Sequence, residues 1–233
     1  MKKRWFIVAG LLVAAFICRI VWIMALPSEP AYGGKSLSAW LDELSGLGSL
    51  HSRTQGTAQI QAVRAIGTNA IPWLIEDYRH RARVWKWRLN QLLKKQKLVN
   101  YRLRDANDRP YRATVGFRAL GEMAEPAIPE LLALVEACPG YVPGALAGIG
   151  RPAVPALQQC LTNMTVYTNS LGSYAIIPGN TISEIYNATS FGPFSKSDIE
   201  IFLPAIQGWA RQTTNQIAQA KAQWFLNNYG QLQ

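Results

Sequence analysis

The stretch Ala145-Leu146-Ala147-Gly148-Ile149-Gly150-Arg151-Pro152-Ala153-Val154-Pro155-Ala156-Leu157 carries the reading of the fold. It runs from small and apolar residues into Ile-Gly, crosses a short turn, and resumes as Ala-Val-Pro-Ala-Leu. A glycine after an aliphatic residue suits the left-handed position that closes a helix. A proline at the next helix start loses no hydrogen bond, because first-turn N–H groups have no partner within the helix. The segment therefore predicts one helix ending at Gly150 and a second beginning at Pro155. Val142, Ala145, Leu146 and Ile149 fall on one face of the first helix.

The same form occurs twice upstream. One copy is Ala62-Val63-Arg64-Ala65-Ile66-Gly67-Thr68-Asn69-Ala70-Ile71-Pro72-Trp73-Leu74. The other joins Gly116-Phe117-Arg118-Ala119-Leu120-Gly121 to Ala127-Ile128-Pro129-Glu130-Leu131, with Ile128, Leu131, Leu132 and Val135 as the apolar face of its second helix. One hairpin cannot cover its own apolar stripe, so repeated hairpins are expected to stack. The predicted class is all-α: an α-solenoid of helical hairpins preceded by one N-terminal apolar helix.

These segments resemble HEAT repeats, a member of the armadillo-like group. Together with the opening Tyr32, Gly34, Lys35, Leu37, Ser38, Trp40 and Leu41, they resemble bacterial HEAT-repeat domain proteins with an N-terminal apolar segment. The resemblance runs from about Tyr32 to Asn163. It implies a scaffold for protein–protein interaction and no particular reaction.

The chain begins Lys2-Lys3-Arg4 and continues with an apolar run from Trp5 to Leu26, broken only by Arg19. Such a run is long enough to span a bilayer, for which about 20 residues suffice. The basic start reads as a signal anchor or a signal peptide over residues 1–26. Trp5, Phe6, Leu11, Leu12, Phe16, Ile20 and Trp22 are its expected membrane residues. The positive-inside rule keeps the first basic residues in the cytoplasm and sends the rest across, so the solenoid is expected outside the cytoplasm, membrane-anchored or secreted after cleavage.

Residues 27–56 read as a linker holding a short helix, capped by Ser36 or Ser38 and carrying Leu37, Trp40, Leu41 and Leu44. Residues 57–230 read as the solenoid. An irregular insert is expected near 164–196, rich in Asn, Ser, Thr, Gly and Tyr, with a short helix over Thr181 to Ala188. It is either a functional loop or a degenerate repeat. Two further helices follow. One is capped by Ser195 or Ser197 and carries Ile199, Phe202, Leu203 and Ile206. The other spans Asn215 to Tyr229 and carries Ile217, Trp224 and Phe225.

The formal charge of +10 is unevenly placed. From Arg79 to Arg112 there are twelve Lys/Arg against Asp105 and Asp108, whereas the chain outside that stretch and the N-terminal helix sums to −4. No glycine or proline interrupts a helical pattern from Trp73 to Val99, with Ile71, Leu74, Tyr78, Ala82, Trp85, Leu89 and Leu92 inward. Arg81, Arg83, Lys86, Trp87, Lys94 and Lys97 are left as candidate partner-binding residues. A basic patch attracts polyanions. A protein partner is expected, with an anionic lipid or envelope polymer as a further possibility. The alternative is a HEAT-like nucleic-acid binder that uses segment 79–112.

Neither catalysis nor a cofactor or metal is expected. The two histidines, His51 and His80, lie among residues that supply no obvious ligand or triad partner. Asp42-Glu43 and Glu76-Asp77 are neighbours that a helix points apart, and they read as solvated faces. Cys138 and Cys160 read as small buried thiols rather than a bridge.

Overall fold

The computed structural model describes residues 28–46, 57–79, 108–162, 166–168, 174–212 and 215–229. The expected membrane residues, the candidate partner residues from Arg81 to Lys97, Cys18 and both histidines lie outside the described residues. The chain divides into two units, 1–30 and 31–233, and the second is described here. It is mostly helical. Among the described residues no helix is long and apolar enough to cross a membrane.

The second unit opens with a two-residue hairpin. Strand β1 (Ala31–Tyr32) pairs antiparallel with β2 (Lys35–Ser36). Gly33 and Gly34 both have positive φ, as this tight turn needs. Helix α1 (Leu37–Gly46) follows, and its start is capped by the Ser36 hydroxyl, which accepts from the Ala39 N–H at 3.4 Å. Leu37, Leu41 and Leu44 are fully buried. Residues 31–46 therefore pack with the core-forming body. Trp40 turns outward instead, and donates from Nε1 to the Tyr32 carbonyl at 3.0 Å.

Helices α2 (Thr57–Ile66) and α3 (Ile71–Arg79) form the first hairpin, and α4 (Asp108–Leu120) and α5 (Ile128–Leu134) the second. Helices α6 (Val142–Ile149) and α7 (Val154–Thr162) form the third. Each corner has one construction. Gly67, Gly121 and Gly150 take φ of +65, +61 and +91°. A 3₁₀ turn follows each glycine or begins on it: Gly67–Ala70, Gly121–Ala127 and Arg151–Ala153. The second helix then starts one residue before its proline. The short turns expected from sequence are thus 3₁₀-helical, and Ala70, Ala124, Ala127 and Ala153 lie buried at the corners.

Successive first helices of the hairpins lie side by side and run parallel. Arg64 on α2 reaches the Ala119 carbonyl on α4, and Gly67 lies opposite Met123 in the next corner. Thr114 and Arg118 on α4 face Gly144 and Gly148 on α6. The three corners also line up in order. Val142, Ala145, Leu146 and Ile149 are all buried, as their spacing predicts.

Residues 164–196 hold more regular structure than the expected insert with a short helix over Thr181 to Ala188. Strands β3 (Val166–Thr168) and β4 (Tyr174–Ile176) pair antiparallel. They lead into α8 (Ile177–Phe191), a 15-residue helix packed on α6 and α7. Ile177, Ile182, Ile185 and Ala188 supply its buried face. Its Ser and Thr content suggested a loop. Three of these hydroxyls instead donate back along the helix: Thr181 to the Ile177 carbonyl at 2.7 Å, Ser183 to Gly179 at 3.1 Å, and Thr189 to Ile185 at 2.7 Å.

Helix α9 (Lys196–Arg211) begins at a capping box. The Asp198 carboxylate accepts from the Ser195 N–H at 2.9 Å and from its hydroxyl at 2.6 Å. Ile199, Phe202 and Ile206 are fully buried. The Trp209 indole donates to the Leu161 carbonyl at 2.7 Å and satisfies a carbonyl that the end of α7 leaves open. Helix α10 (Gln216–Tyr229) starts from Asn215, whose side chain accepts from the Ala218 N–H. It runs parallel to α8, with Gly179 opposite Ala218 and Tyr186 against Trp224. Its inward residues are Ala218, Ala222 and Phe225. Ile217 and Trp224, read from sequence beside Phe225, are 50% and 46% exposed.

Candidate functional site

The structure corrects the account of the basic segment at both of its described ends. Arg79 is ion-paired with Glu130. Arg112 is buried, and donates to the Asp77 carboxylate from Nε at 3.0 Å and Nη2 at 2.7 Å. Asp42 lies 3.4 Å from Arg112 Nη1, and Arg109 lies 3.9 Å from Asp77. Asp77 is therefore an internal counter-ion between α3 and α4, not a solvated residue. Glu76, its neighbour, points outward as the helix requires. These contacts join the two helices that flank residues 80–107, and they remove Arg112 from any open basic surface, while Arg109 stays 40% exposed. Tyr78 adds to the joint. Its hydroxyl lies 2.8 Å from the Thr114 hydroxyl, and burial pushes its phenol well above the usual range.

The described residues hold one cleft of note, of about 130 Å³. It crosses α2, α4, α6 and α8, so it spans successive hairpins. Ile60 forms one wall, and Ala188 with Pro193 the other. Arg118, Glu184 and Asn187 bring the polar atoms. None of these residues stands out in the sequence as a site residue, because they are drawn from segments more than a hundred residues apart.

Two glycines bed the Arg118 side chain. A Cβ at Gly148 would meet Arg118 Cγ at 2.3 Å and its Cα at 2.8 Å. A Cβ at Gly144 would meet Arg118 Nη2 at 3.0 Å. The spacing Gly144-Ala-Leu-Ala-Gly148 puts both glycines on one face of α6. The arm of Arg118 crosses that face, donates from Nε to the Gly144 carbonyl at 3.3 Å, and pairs with Glu184 on α8. One side chain thus joins three successive hairpins. Both partners of the pair are 23% exposed, on the cleft side.

Among the described residues no group of histidine, cysteine and carboxylate side chains could hold a metal ion. Cys138 and Cys160 are free thiols. Burial pushes the Cys160 thiol up to about 11, while Cys138 is half-buried and directs its sulfur to the Tyr78 carbonyl. Asp198 is held below the usual carboxylate range, first by the Ser195 hydroxyl and then by its N–H and Arg151. That shift belongs to a helix cap. No family model, curated protein or solved structure matches the chain.

Proposed function

We propose that this chain is a HEAT-type α-solenoid acting as a non-catalytic binding scaffold, tethered to a membrane by residues 1–26, with its helical body outside the cytoplasm. The observation that carries the reading is the parallel, in-register packing of α2, α4, α6, α8 and α10, with a cleft running across four of them. A surface assembled from successive hairpins is the kind on which repeat proteins engage a partner. The partner is a protein. The positive residues from Arg81 to Lys97 supply attraction for an acidic region of it, or for an anionic envelope component. Against the nucleic-acid alternative stands Arg112, which is buried on Asp77 and not open to a phosphate.

The test is affinity capture from envelope extract with the full chain, beside two variants whose helical content is checked by circular dichroism. Asn187→Leu obstructs the cleft at a half-buried position. The triple change Arg83→Glu, Lys86→Glu, Lys94→Glu reverses the basic segment. The expected result is one stoichiometric protein, lost with Asn187→Leu and reduced with the triple variant. Equal recovery by wild type and both variants, or retention of DNA in preference to any protein, would overturn the reading. A phosphatase reporter at the C-terminus that is inactive in whole cells would sink the external placement.

A further inference from the structure

We propose that the cleft over α4, α6 and α8 recognises an uncharged backbone peptide unit of a polypeptide. The inference rests on the scaffold reading and specifies the chemistry of its partner.

Arg118 and Glu184 face the cleft as a mutually neutralised, partly buried pair. An incoming anion would compete with Glu184 for the guanidinium, and an incoming cation would compete with Arg118 for the carboxylate. Either leaves one half of the pair without its counter-ion where burial has already cost it most of its water, an unfavourable outcome. A neutral amide does neither. It offers one acceptor and one or two donors close together.

The cleft supplies the complement. Arg118 has five N–H groups, of which Nε serves the Gly144 carbonyl and Nη2 serves Glu184. Others remain for a carbonyl oxygen. The Glu184 carboxylate keeps lone pairs for an amide N–H. Asn187, one turn along α8, adds a carboxamide to the cleft. The walls at Ile60, Ala188 and Pro193 are apolar and suit the methyl or methylene carbons beside an amide. A space of about 130 Å³ fits a group of that size.

The experiment uses the full chain in detergent micelles with ¹³C-labelled alanine methyls. Three probes of nearly equal size are titrated at pH 6.5, chosen as about 1.5 units below the amine's range. N-acetylalanine methylamide is neutral, N-acetylalanine is an anion, and alanine methylamide is a cation. The expected result is saturable shifts of the Ala119, Ala147 and Ala188 methyls with the neutral probe, at millimolar affinity. Each charged probe should bind about tenfold more weakly. Asn187→Leu should abolish the shifts. Asn187→Asp, which adds an unpaired carboxylate beside Glu184, should turn the preference toward the cation. Equal or tighter binding of a charged probe to the wild type, shifts that survive Asn187→Leu, or no shift at tens of millimolar would each overturn the proposal. Partner capture that persists while the amide probe fails would leave the scaffold standing and refute only the amide site.

Discussion

Gly148 and Gly208 both sit inside helices, and the same substitution should act on them with opposite sign. Glycine in a helix interior costs about 1 kcal/mol relative to alanine, so Gly→Ala stabilises wherever the methyl has room. At Gly208, on α9, the position is exposed and a Cβ would have nothing within 4 Å. Gly208→Ala should therefore gain about 0.5–1 kcal/mol. At Gly148 the methyl would enter the Arg118 backbone, with Cα at 2.8 Å and Cγ at 2.3 Å. A backbone atom cannot swing aside, so α4 and α6 must separate. Overpacking costs about 1–3 kcal/mol, and this geometry places it near the top of that range. Subtracting the helix gain leaves Gly148→Ala destabilised by about 2 kcal/mol. For a body of this size each kcal/mol moves the melting temperature by about 2–4 °C. Thermal unfolding of the full chain, followed at 222 nm, should show Gly148→Ala about 4–8 °C below wild type and Gly208→Ala about 1–4 °C above it. A Gly148→Ala protein as stable as wild type would refute the close approach of α4 to α6. That approach is what holds the Arg118 arm in the cleft.

Asp77→Ala should cost about 3 kcal/mol, the low end for a broken buried pair because Asp42 still lies 3.4 Å from Arg112, whereas Asp77→Leu with Arg112→Leu should recover most of the loss. Chemical denaturation of the single and double variants checks this, and additive losses would count against the pair. Asp198 has a folded pKa below its unfolded value, so its contribution is present above the unfolded pKa and fades as pH falls through the folded one. The stability gap between wild type and Asp198→Asn should therefore narrow from pH 7 to pH 3; a constant gap would dismiss the capping carboxylate. Cys160, with its thiol raised to about 11 and 2% exposed, should resist a thiol reagent at pH 8 until the protein unfolds. Rapid labelling in the folded state, located by peptide mapping, would contradict its burial.

The sequence by itself determined the corners. Ile66-Gly67, Leu120-Gly121 and Ile149-Gly150 end helices because a left-handed backbone is a local demand that only glycine meets cheaply, and the prolines that follow suit a first turn wherever the chain lies. It also determined the inward faces of α5, α6 and α9, since helical spacing sorts residues without knowledge of the neighbour. It read only Thr181 to Ala188 of α8 as helix, because a composition rich in Ser, Thr and Asn resembled a loop. Whether those hydroxyls bond along a helix depends on whether Ile177, Ile182 and Ile185 find something to pack on, and α6 and α7 provide it. Charge was the least legible feature. Arg112 and Asp77 look like surface residues in a basic run and a polar pair, yet they are internal partners, because electrostatic pairing follows distance in space across 35 positions of chain. The cleft was invisible for the same reason. Ile60, Arg118, Glu184 and Asn187 meet only once four helices lie side by side, and no local pattern records that Gly144 and Gly148 are there to seat an arginine from the hairpin before.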